Sequence, residues 1–414
     1  MNKKVAIVSR YLPDYRLPFY RGLKEYLTQR DIELRLIYGR TNEDVPADDV
    51  QIALPWAKCI RHWSISVGGF EVCWQPYVSY IRDADLVIVE QANRLLLNYW
   101  LIAKRNFSRQ KIAFWGHGRD LQTSSATLRN AWKKLFLKHV DWWFAYSVEV
   151  KEAIIKSAFV AERITNVQNS IDTDALRSVK AAMSAQQLDS LRKELGLGSG
   201  PVGIYCGRVY KEKRIEFLLK ACFGIRKKIS SFEVIIVGGG RDQDKIIAAA
   251  REAEWIHYVG PKFGDARVPY FLLCDVSLVP GAVGLAIVDC FALEVPLMTT
   301  RFPYHGPEIS YLKNHDNGLM TEDNLESYVA GVSGMLVDRE GLDKLKHGCR
   351  AAASVYTVKA MIDNFGAGVV ACLANERCGL PPTPGKHDET AEGLTDQELP
   401  LSDNAHSSPK RACG

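Results

Sequence analysis

The sequence predicts an α/β fold made of two Rossmann-like, doubly wound domains that face each other across a cleft. The chain has 414 residues, more than one hydrophobic core normally holds, since domains average about 100–200 residues. Short β-branched runs alternate with amphipathic helical stretches, which is the pattern of parallel sheets covered on both faces. A Gly/Ser/Pro hinge at 196–201 separates two such series. These observations favour two domains of one class.

The first domain is expected to span residues 1–177. Each predicted strand is a short apolar run that ends at a small or polar residue. The strands are expected at 5–9, 33–38, 85–90, 111–116, 142–147 and 164–169. Residues 178–200 are expected to form a linker, within which 181–195 is helical and charged.

The second domain, residues 201–358, is expected to repeat this plan. Each of its strands runs into Gly, Pro or a polar turn before a helix, and ligands of open α/β sheets bind beyond such strand ends. A last helix, 359–378, is expected to return to the first domain. The tail, 379–414, is polar and lacks aromatic residues, so we expect disorder there. The predicted strands are 202–207, 232–238, 255–260, 275–280 and 296–300.

The composition excludes several classes of protein. Hydrophobic residues make up 47% and charged residues 24% of the chain, which argues against a fibrous or mainly disordered protein. We find no uninterrupted apolar run near the ~18 residues of a membrane-spanning helix, and the first apolar run is too short for a signal peptide. The ten cysteines lie singly, which favours reduced thiols over a zinc site or a disulfide framework.

Basic residues concentrate between residues 104 and 138, where nine Lys/Arg face a single acid. Within this segment, 130–138 is a predicted helix with Trp132, Leu135 and Phe136 on one face and lysines around them, which suits an anionic membrane surface. A core-facing helix with a solvated basic side is an equal alternative. The chain has no recognisable RNA-binding motif, so we expect no nucleic-acid partner.

The turn after strand 275–280 is the most informative segment. Gly281 and Gly284 have no side chains, so a ligand can approach the backbone closely. The helix expected from Leu285 would present N–H groups and a positive dipole end to a diphosphate. Asp289, one turn later, could bond ribose hydroxyls. A turn whose glycines serve packing only is an equal alternative for this turn taken alone.

A second turn points to the same chemistry. Arg208 and Lys213 follow the first strand of the second domain and stand five residues apart. Two cations around one turn can converge on a pyrophosphate, with Arg as a forked donor and Lys as a point charge. The alternative is a solvated basic loop.

Six segments over residues 140–375 share the order and spacing of one family's motifs. They are Asn169-Ser170-Ile171-Asp172, Gly207-Arg208 with Glu212-Lys213, Val237–Gly240, 280–296, Pro307-Glu308 and Asn317-Gly318-Leu319. The set resembles the donor domain of glycosyltransferase family 4, the retaining GT-B enzymes also described as group 1 glycosyl transferases. Segment 280–296 diverges from the family's Glu-x7-Glu motif, because Gly281 and Asp289 stand where the family has glutamates.

The resemblance implies roles for these residues. The missing first glutamate would leave catalysis to the cations that stabilise the leaving diphosphate, because leaving-group charge is the main electrostatic problem in glycosyl transfer. The donor diphosphate and ribose would be held by Arg208, Lys213, Gly281, Gly284, Leu285 and Asp289, and the catalytic set would be His117, Asp289, Arg208 and Lys213.

His117 is expected at the reacting end of the donor. It follows a strand and lies between two glycines, so its ring can face a cleft, and the family often has a histidine at this place. A turn histidine bonded to backbone is the alternative. The other residues expected on the acceptor or sugar side are Tyr15, Arg16, Arg119, His305 and Glu308.

Two Asp-x-Asp spacings could hold a divalent metal on a diphosphate: Asp83 with Asp85, and Asp172 with Asp174. Their positions are typical of turns and helix caps. Because cations already face the expected phosphates, we expect neither a metal nor another cofactor.

The predicted function is transfer of a sugar from a UDP-, GDP- or ADP-sugar to a lipid-linked or polysaccharide acceptor, with retention of configuration. The expected location is the cytoplasm, with a peripheral position on the inner face of the cell membrane left open. A catalytically silent GT-B scaffold that binds a sugar nucleotide is the alternative, motivated by Gly281. A nucleotide-sugar epimerase shares the fold but would be expected to carry more acids in its cleft.

Overall fold

Two parallel sheets organise the chain in a computed structural model that describes residues 2–40, 54–67, 70–105, 107–117 and 139–375. The α/β class with two parallel sheets is therefore confirmed. Segment 130–138, for which a helix is predicted, Arg119 and the residues from 376 onward lie outside the described residues.

The first sheet contains seven strands within the described residues, and a two-stranded antiparallel hairpin lies beside it. In chain order the strands are β1 (Lys3–Ser9), β2 (Ile32–Arg40), β3 (Lys58–Arg61), β4 (Trp63–Val67), β5 (Phe70–Trp74), β6 (Leu86–Glu90), β7 (Lys111–Gly116), β8 (Trp142–Ala145) and β9 (Ile164–Asn166). The sheet order is β3-β2-β1-β6-β7-β8-β9, and β4 pairs with β5. Strand β3 and the hairpin are additions to the six predicted strands.

The second sheet contains six strands, and all neighbours in it are parallel. They are β10 (Val202–Cys206), β11 (Glu233–Val237), β12 (Ile256–Gly260), β13 (Val276–Leu278), β14 (Leu297–Thr300) and β15 (Gly318–Thr321). Their order is β12-β11-β10-β13-β14-β15, so the strand order reverses beside β10 and β13. This reversal places the turns after β10 and β13 at the point where doubly wound sheets bind ligands.

Thirteen α-helices accompany these strands in the described part of the chain. They are α1 (Leu17–Thr28), α2 (Val78–Ile81), α3 (Leu96–Arg105), α4 (Val148–Lys156), α5 (Thr173–Ala182), α6 (Ala185–Glu194), α7 (Ile215–Lys228), α8 (Gln243–Glu252), α9 (Val268–Leu272), α10 (Ala286–Leu293), α11 (Leu325–Val337), α12 (Arg339–Val355) and α13 (Val358–Ala374).

Apolar strands and polar caps explain where these elements form. All five residues of β11 are buried, because helices cover both faces of the sheet and every position meets a core. Six helices begin at a side chain that accepts a backbone N–H of the first turn, which satisfies one otherwise unpaired donor. The capping residues are Ser147, Asp172, Ser184, Asn324, Asp338 and Thr357.

The segment expected as a linker is mostly helical and packs on the second sheet. Leu197 is buried in one core with Val202 and Ile204, and Leu188 and Leu191 of α6 pack against that core. Residues 178–200 therefore contribute apolar contacts to the second domain instead of bridging freely between domains.

The last two helices pack into different domains. Within the described residues, one stretch, Arg339–Ala374, is long and apolar enough to cross a membrane by length and composition. It consists of α12 and α13. Cys349 and Ala353 of α12 lie in the second-domain core, whereas Met361 and Phe365 of α13 lie in the first-domain core. That packing explains the apolar face of α12 and the apolar composition of α13.

Candidate functional site

Glycine turns interlock at the carboxyl edge of the second sheet. The turn after β10 donates the Val209 N–H to the Gly239 carbonyl at 2.9 Å. Gly238 has φ +147°, and a Cβ there would lie 1.9 Å from the Gly207 carbonyl oxygen. Only glycine allows this approach. The turns after β10 and β11 thus pack backbone against backbone beside the point where the strand order reverses.

The turn after β13 closes against the turn that carries Lys213. The Ala282 N–H donates to the Glu212 carbonyl at 2.9 Å. A Cβ at Gly281 would lie 2.4 Å from the Glu212 carbonyl oxygen and 2.6 Å from the carbonyl carbon of Lys213. No side chain fits at 281 in this backbone, which is a physical reason for the absence of an acid at that position.

Lys213 lies beside the start of α10. Its ammonium donates to the Ala282 carbonyl and lies 5.8 Å from the centre of the Tyr210 ring. Burial lowers the pKa of Lys213 to about 8. Within the described residues no carboxylate pairs with it. A partly buried cation without a counter-ion is unfavourable, so this position favours an anion as ligand.

Arg208 lies on the same loop, between β10 and α7, and its side chain is exposed. The Tyr205 hydroxyl donates to the Arg208 carbonyl at 2.7 Å, which fixes the backbone at the base of this side chain. In the part of the chain that the structure describes, Arg208 makes no salt bridge. The loop therefore offers one exposed guanidinium and one partly buried ammonium.

Helix α10 begins directly after Leu285, and Gly284 precedes that residue. The first N–H groups of a helix lack intrahelical acceptors and carry the positive end of its dipole. Because the Lys213 ammonium reaches the carbonyl of Ala282, two residues before Gly284, the cation and the helix start face one small region. The structure thus brings Lys213, Gly281, Gly284 and Leu285 together, as a diphosphate site requires.

Asp289 is engaged by a residue that the sequence analysis did not single out. The Arg267 guanidinium donates to its carboxylate at 2.6 Å. Burial raises the pKa of the Asp289 carboxyl, and Arg267 opposes that rise. Arg267 lies in a short turn before α9, and no local pattern marks it as a partner. Any ribose contact at Asp289 would therefore involve this ion pair.

His305 bridges two backbone segments. Its Nδ1 accepts the Val283 N–H at 3.0 Å, and its Nε2 lies 2.8 Å from the Thr300 carbonyl oxygen. This pattern requires the neutral tautomer with the proton on Nε2. The histidine supports the turn after β13, and both ring nitrogens already have backbone partners.

Arg16 is buried, not open to a cleft: only 5% of its surface is exposed. Its guanidinium donates to the Asn169 side-chain carbonyl at 2.5 Å, and the Asn169 amide donates to the Glu308 carboxylate. Glu308 is 3% exposed. We name Arg16, Asn169 and Glu308 the interdomain chain, since it joins the first-sheet side to the turn that precedes β15.

The interdomain chain approaches the diphosphate region. A Cβ at Gly284 would lie 3.8 Å from Glu308 Oε2, and one at Gly306 would lie 2.7 Å from the same atom. The Tyr311 hydroxyl adds a second link, 3.2 Å from each of the Tyr146 and Asn169 carbonyl oxygens. Glu308 is thus held next to the start of α10.

His117 and Tyr15 lie on the first-domain side of this junction. The exposed His117 ring is 4.3 Å from the Tyr146 ring, centre to centre. The Arg16 guanidinium lies 5.9 Å from Tyr146, 5.4 Å from Trp115 and 5.2 Å from the half-exposed Tyr15. His117, Tyr15 and Arg16 therefore belong to one cluster, whereas Arg119 lies outside the described residues.

Each Asp-x-Asp carboxylate already has a partner. Asp83 pairs with Lys4 and Arg35, and Asp85 with Lys3, at the amino end of β1 and away from the functional turns. Asp172 caps α5, and Asp174 pairs with Arg177 at 3.7 Å. In the described residues no group of three or more His, Cys, Asp or Glu is placed to hold a metal ion.

Parts of the chain are similar in sequence to known glycosyltransferases. Residues 200–338 match the family model described as "Glycosyl transferases group 1". The chain is 25% identical over 154 residues to alpha-monoglucosyldiacylglycerol synthase of Acholeplasma laidlawii, covering 36% of this chain and 38% of the relative. It is 25% identical over 184 residues to the GDP-mannose-dependent alpha-(1-6)-phosphatidylinositol monomannoside mannosyltransferase of Mycobacterium tuberculosis, covering 41% and 46%. The chain thus spans less than half the length of these two relatives.

Solved structures show the fold over nearly the whole chain. A glycosyltransferase from Rickettsia africae superposes with a TM-score of 0.69 at 13% identity, covering 91% of this chain and 100% of that one. HepE of Anabaena, solved in complex with UDP, gives 0.67 at 14% identity, covering 89% and 100%. The chain has the GT-B fold. More particularly, residues 200–338, in its second domain, are similar to the domain of group 1 glycosyl transferases.

Proposed function

We propose that the protein is a glycosyltransferase that moves a sugar from a nucleotide-diphosphate sugar to a hydroxyl of a lipid-linked or polysaccharide acceptor, with retention of configuration. In this reaction the bond between the anomeric carbon and the diphosphate breaks, and a bond from that carbon to the acceptor oxygen forms on the same face. The acceptor proton leaves with the diphosphate or to solvent. The protein must therefore stabilise a diphosphate that gains negative charge.

The observation that carries the proposal is Lys213. Its ammonium is partly buried, lacks a carboxylate partner among the described residues, and lies beside the start of α10. A diphosphate between Lys213, Arg208 and the first N–H groups of α10 would supply the missing counter-charge and would be stabilised most as the leaving group forms. These cations do the work that a metal does elsewhere, so the proposal includes no metal or other cofactor.

The remaining residues divide between ribose and reacting sugar. We assign the ribose to Asp289 together with Arg267, and the reacting end to His117, with Tyr15 and Glu308 nearby. His305 and Arg16 support these positions through backbone and Asn169 contacts.

The partners are proposed from the relatives' names. HepE was solved with UDP and with UDP-glucose, and the mycobacterial relative is named as GDP-mannose-dependent. The names of both curated relatives contain a glycolipid. We therefore propose a UDP-, GDP- or ADP-sugar donor, a lipid-linked or polysaccharide acceptor, and a cytoplasmic protein that works at the inner face of the membrane.

A thermal-shift screen of UDP, GDP and ADP tests the donor site, because a ligand that binds the folded state raises its stability by mass action. The variants Lys213→Ala and Arg208→Ala should lose this stabilisation and the slow hydrolysis of the matching nucleotide sugar. Lys211→Ala is the matched control, since Lys211 is an exposed lysine of the same loop. Unchanged binding and hydrolysis in both site variants would contradict the proposal.

Product mass over a panel of donors and acceptors tests the reaction itself. The account predicts an acceptor heavier by one sugar residue. Saturable nucleotide binding without product over the whole panel would instead indicate a catalytically silent scaffold. The observation that motivates this alternative is Gly281, where the backbone leaves no room for an acidic side chain.

A further inference from the structure

The hairpin β4–β5 presents an apolar face to solvent. Trp63 pairs with Trp74, and Ile65 pairs with Val72, so these four side chains share one face of the two-stranded sheet. Their exposed fractions are 53% and 41% for the tryptophans and 65% and 38% for the aliphatic pair. Within the described residues nothing covers this face. Contiguous exposed apolar side chains of this size mark an interaction surface.

The opposite face of the hairpin is polar and anchors it to the first sheet. Ser66 pairs with Glu71, whose carboxylate bonds Arg10 and, at 3.0 Å, Arg94. The Cys73 N–H donates to the Arg94 carbonyl at 2.8 Å. Arg10 follows β1 and Arg94 follows β6, so the hairpin is fixed at the carboxyl edge of the first sheet, the edge at which His117 follows β7.

Exposed arginines lie near the apolar face. Glu71 is the only charged residue of the two hairpin strands; it pairs with Arg10 and Arg94, and the Glu90 carboxylate accepts the Arg10 backbone N–H at 3.0 Å. Arg94 is 46% exposed at its side chain. Arg61, also exposed, stands two residues before Trp63. Tryptophans with an apolar body beside exposed arginines match the boundary between acyl chains and anionic headgroups.

We propose that the β4–β5 hairpin docks onto an anionic lipid surface, with Trp63, Ile65, Val72 and Trp74 entering the interface and Arg61 and Arg94 facing the headgroups. The face offers no carboxylate, amide or hydroxyl for a polar partner, which favours lipid over a carbohydrate or an acidic peptide. This surface differs from the 130–138 helix of the sequence analysis. The role of the hairpin rests on the proposed function, since docking would hold the acceptor side of the protein at a membrane. Docking itself does not depend on sugar transfer.

Sedimentation of the full chain with vesicles tests the proposal. We expect binding to equimolar phosphatidylcholine and phosphatidylglycerol, weaker binding at high salt, and little binding to phosphatidylcholine alone. The double variant Trp63→Ser/Trp74→Ser should bind the anionic vesicles at least about tenfold more weakly, because the buried apolar area drives interfacial binding. Stabilisation by UDP, GDP or ADP reports separately on folding and on the donor site, and should be unchanged.

Ile65→Ser and Val337→Ser form a matched pair, with exposures of 65% and 68% on different domains. Only Ile65→Ser should weaken vesicle binding. Wild-type protein that ignores anionic vesicles, or a tryptophan double variant that binds as wild type does, would overturn the proposal. So would a dimer in size-exclusion chromatography that the double variant dissociates, since a second copy would then cover the face. Loss of nucleotide binding with vesicle binding intact would count against the proposed function only.

Discussion

The pH dependence of nucleotide binding tests the role of Lys213 in detail. Burial lowers the pKa of Lys213 from the ordinary 10.5 to about 8, so its charge changes in an accessible range. If a diphosphate binds only the charged form, the dissociation constant grows with the factor 1 + 10^(pH − pKa). That factor is about 1.1 at pH 7 and about 11 at pH 9. Affinity should therefore fall about tenfold, or about 1.4 kcal/mol.

The stability of the unliganded protein should respond to the same group with the opposite sign. Because the pKa of Lys213 is lower in the folded state, the unfolded chain binds more protons between about pH 8 and pH 10.5. The contribution of this group to folding then becomes more favourable as pH rises through that window. Weaker binding at pH 9 would thus not reflect unfolding caused by Lys213.

Isothermal titration calorimetry with the nucleotide from the thermal-shift screen gives the measurement. Lys213→Arg keeps its charge throughout this range, so it should bind without the tenfold decline and also reveals any titration of the nucleotide. Lys213→Met should bind weakly at both pH values. The Cys206 thiol does not interfere, because burial raises its pKa to about 12. If the wild-type dissociation constant is the same at pH 7 and pH 9, or if the affinity of Lys213→Arg declines equally, then the charge of Lys213 does not control nucleotide binding.

Two further predictions concern stability. Gly281→Ala should destabilise the fold by about 1–3 kcal/mol, because its Cβ would meet the Glu212 carbonyl oxygen at 2.4 Å. The control Gly334→Ala should be neutral or stabilising, because no atom lies within 4 Å of its Cβ. Equal midpoints of urea unfolding for the two variants would contradict this prediction. Asn169→Ala removes the central residue of the interdomain chain, so Arg16 and Glu308, both buried, each lose one hydrogen bond. The free energy of unfolding should fall by about 3 kcal/mol. A fall of less than about 0.5 kcal/mol would show that the interdomain chain does not stabilise the fold.

Most strands were predictable because their signal is local. Strands such as β7 and β11 are short apolar runs with buried residues at nearly every position. Strand β3 was missed because Lys58–Arg61 has charged ends and only half-buried centres. The hairpin was missed for a related reason: its apolar residues alternate but face solvent, so nothing marks them as part of a core.

The turns of the proposed donor site could be located from the sequence, whereas the contacts between them could not. Small residues and cations after β10 and β13 follow from the rule that ligands bind beyond strand ends. The hydrogen bond between Lys213 and Ala282 joins residues 69 positions apart. The same packing of the two loops places the backbone of Glu212 and Lys213 where a side chain at 281 would lie. Such a contact depends on how two loops pack, which no local pattern encodes.

Long-range packing likewise determined the partners of the other site residues. Arg16 and His305 were selected for their chemistry and their place in turns. Asn169 lies 153 positions from Arg16, and Val283 lies 22 positions from His305, whereas the second partner of His305, Thr300, is a near neighbour. Asp289 pairs with Arg267 for the same reason.

A crystal structure with the nucleotide diphosphate that stabilises the protein would show whether Lys213 and α10 hold the diphosphate. We expect diphosphate oxygens within about 3 Å of the Lys213 ammonium and of the first N–H groups of α10, with the Arg208 guanidinium turned toward them. A nucleotide bound at another place, or a Lys213 ammonium still bonded only to the Ala282 carbonyl with the nucleotide in the crystal, would contradict this expectation.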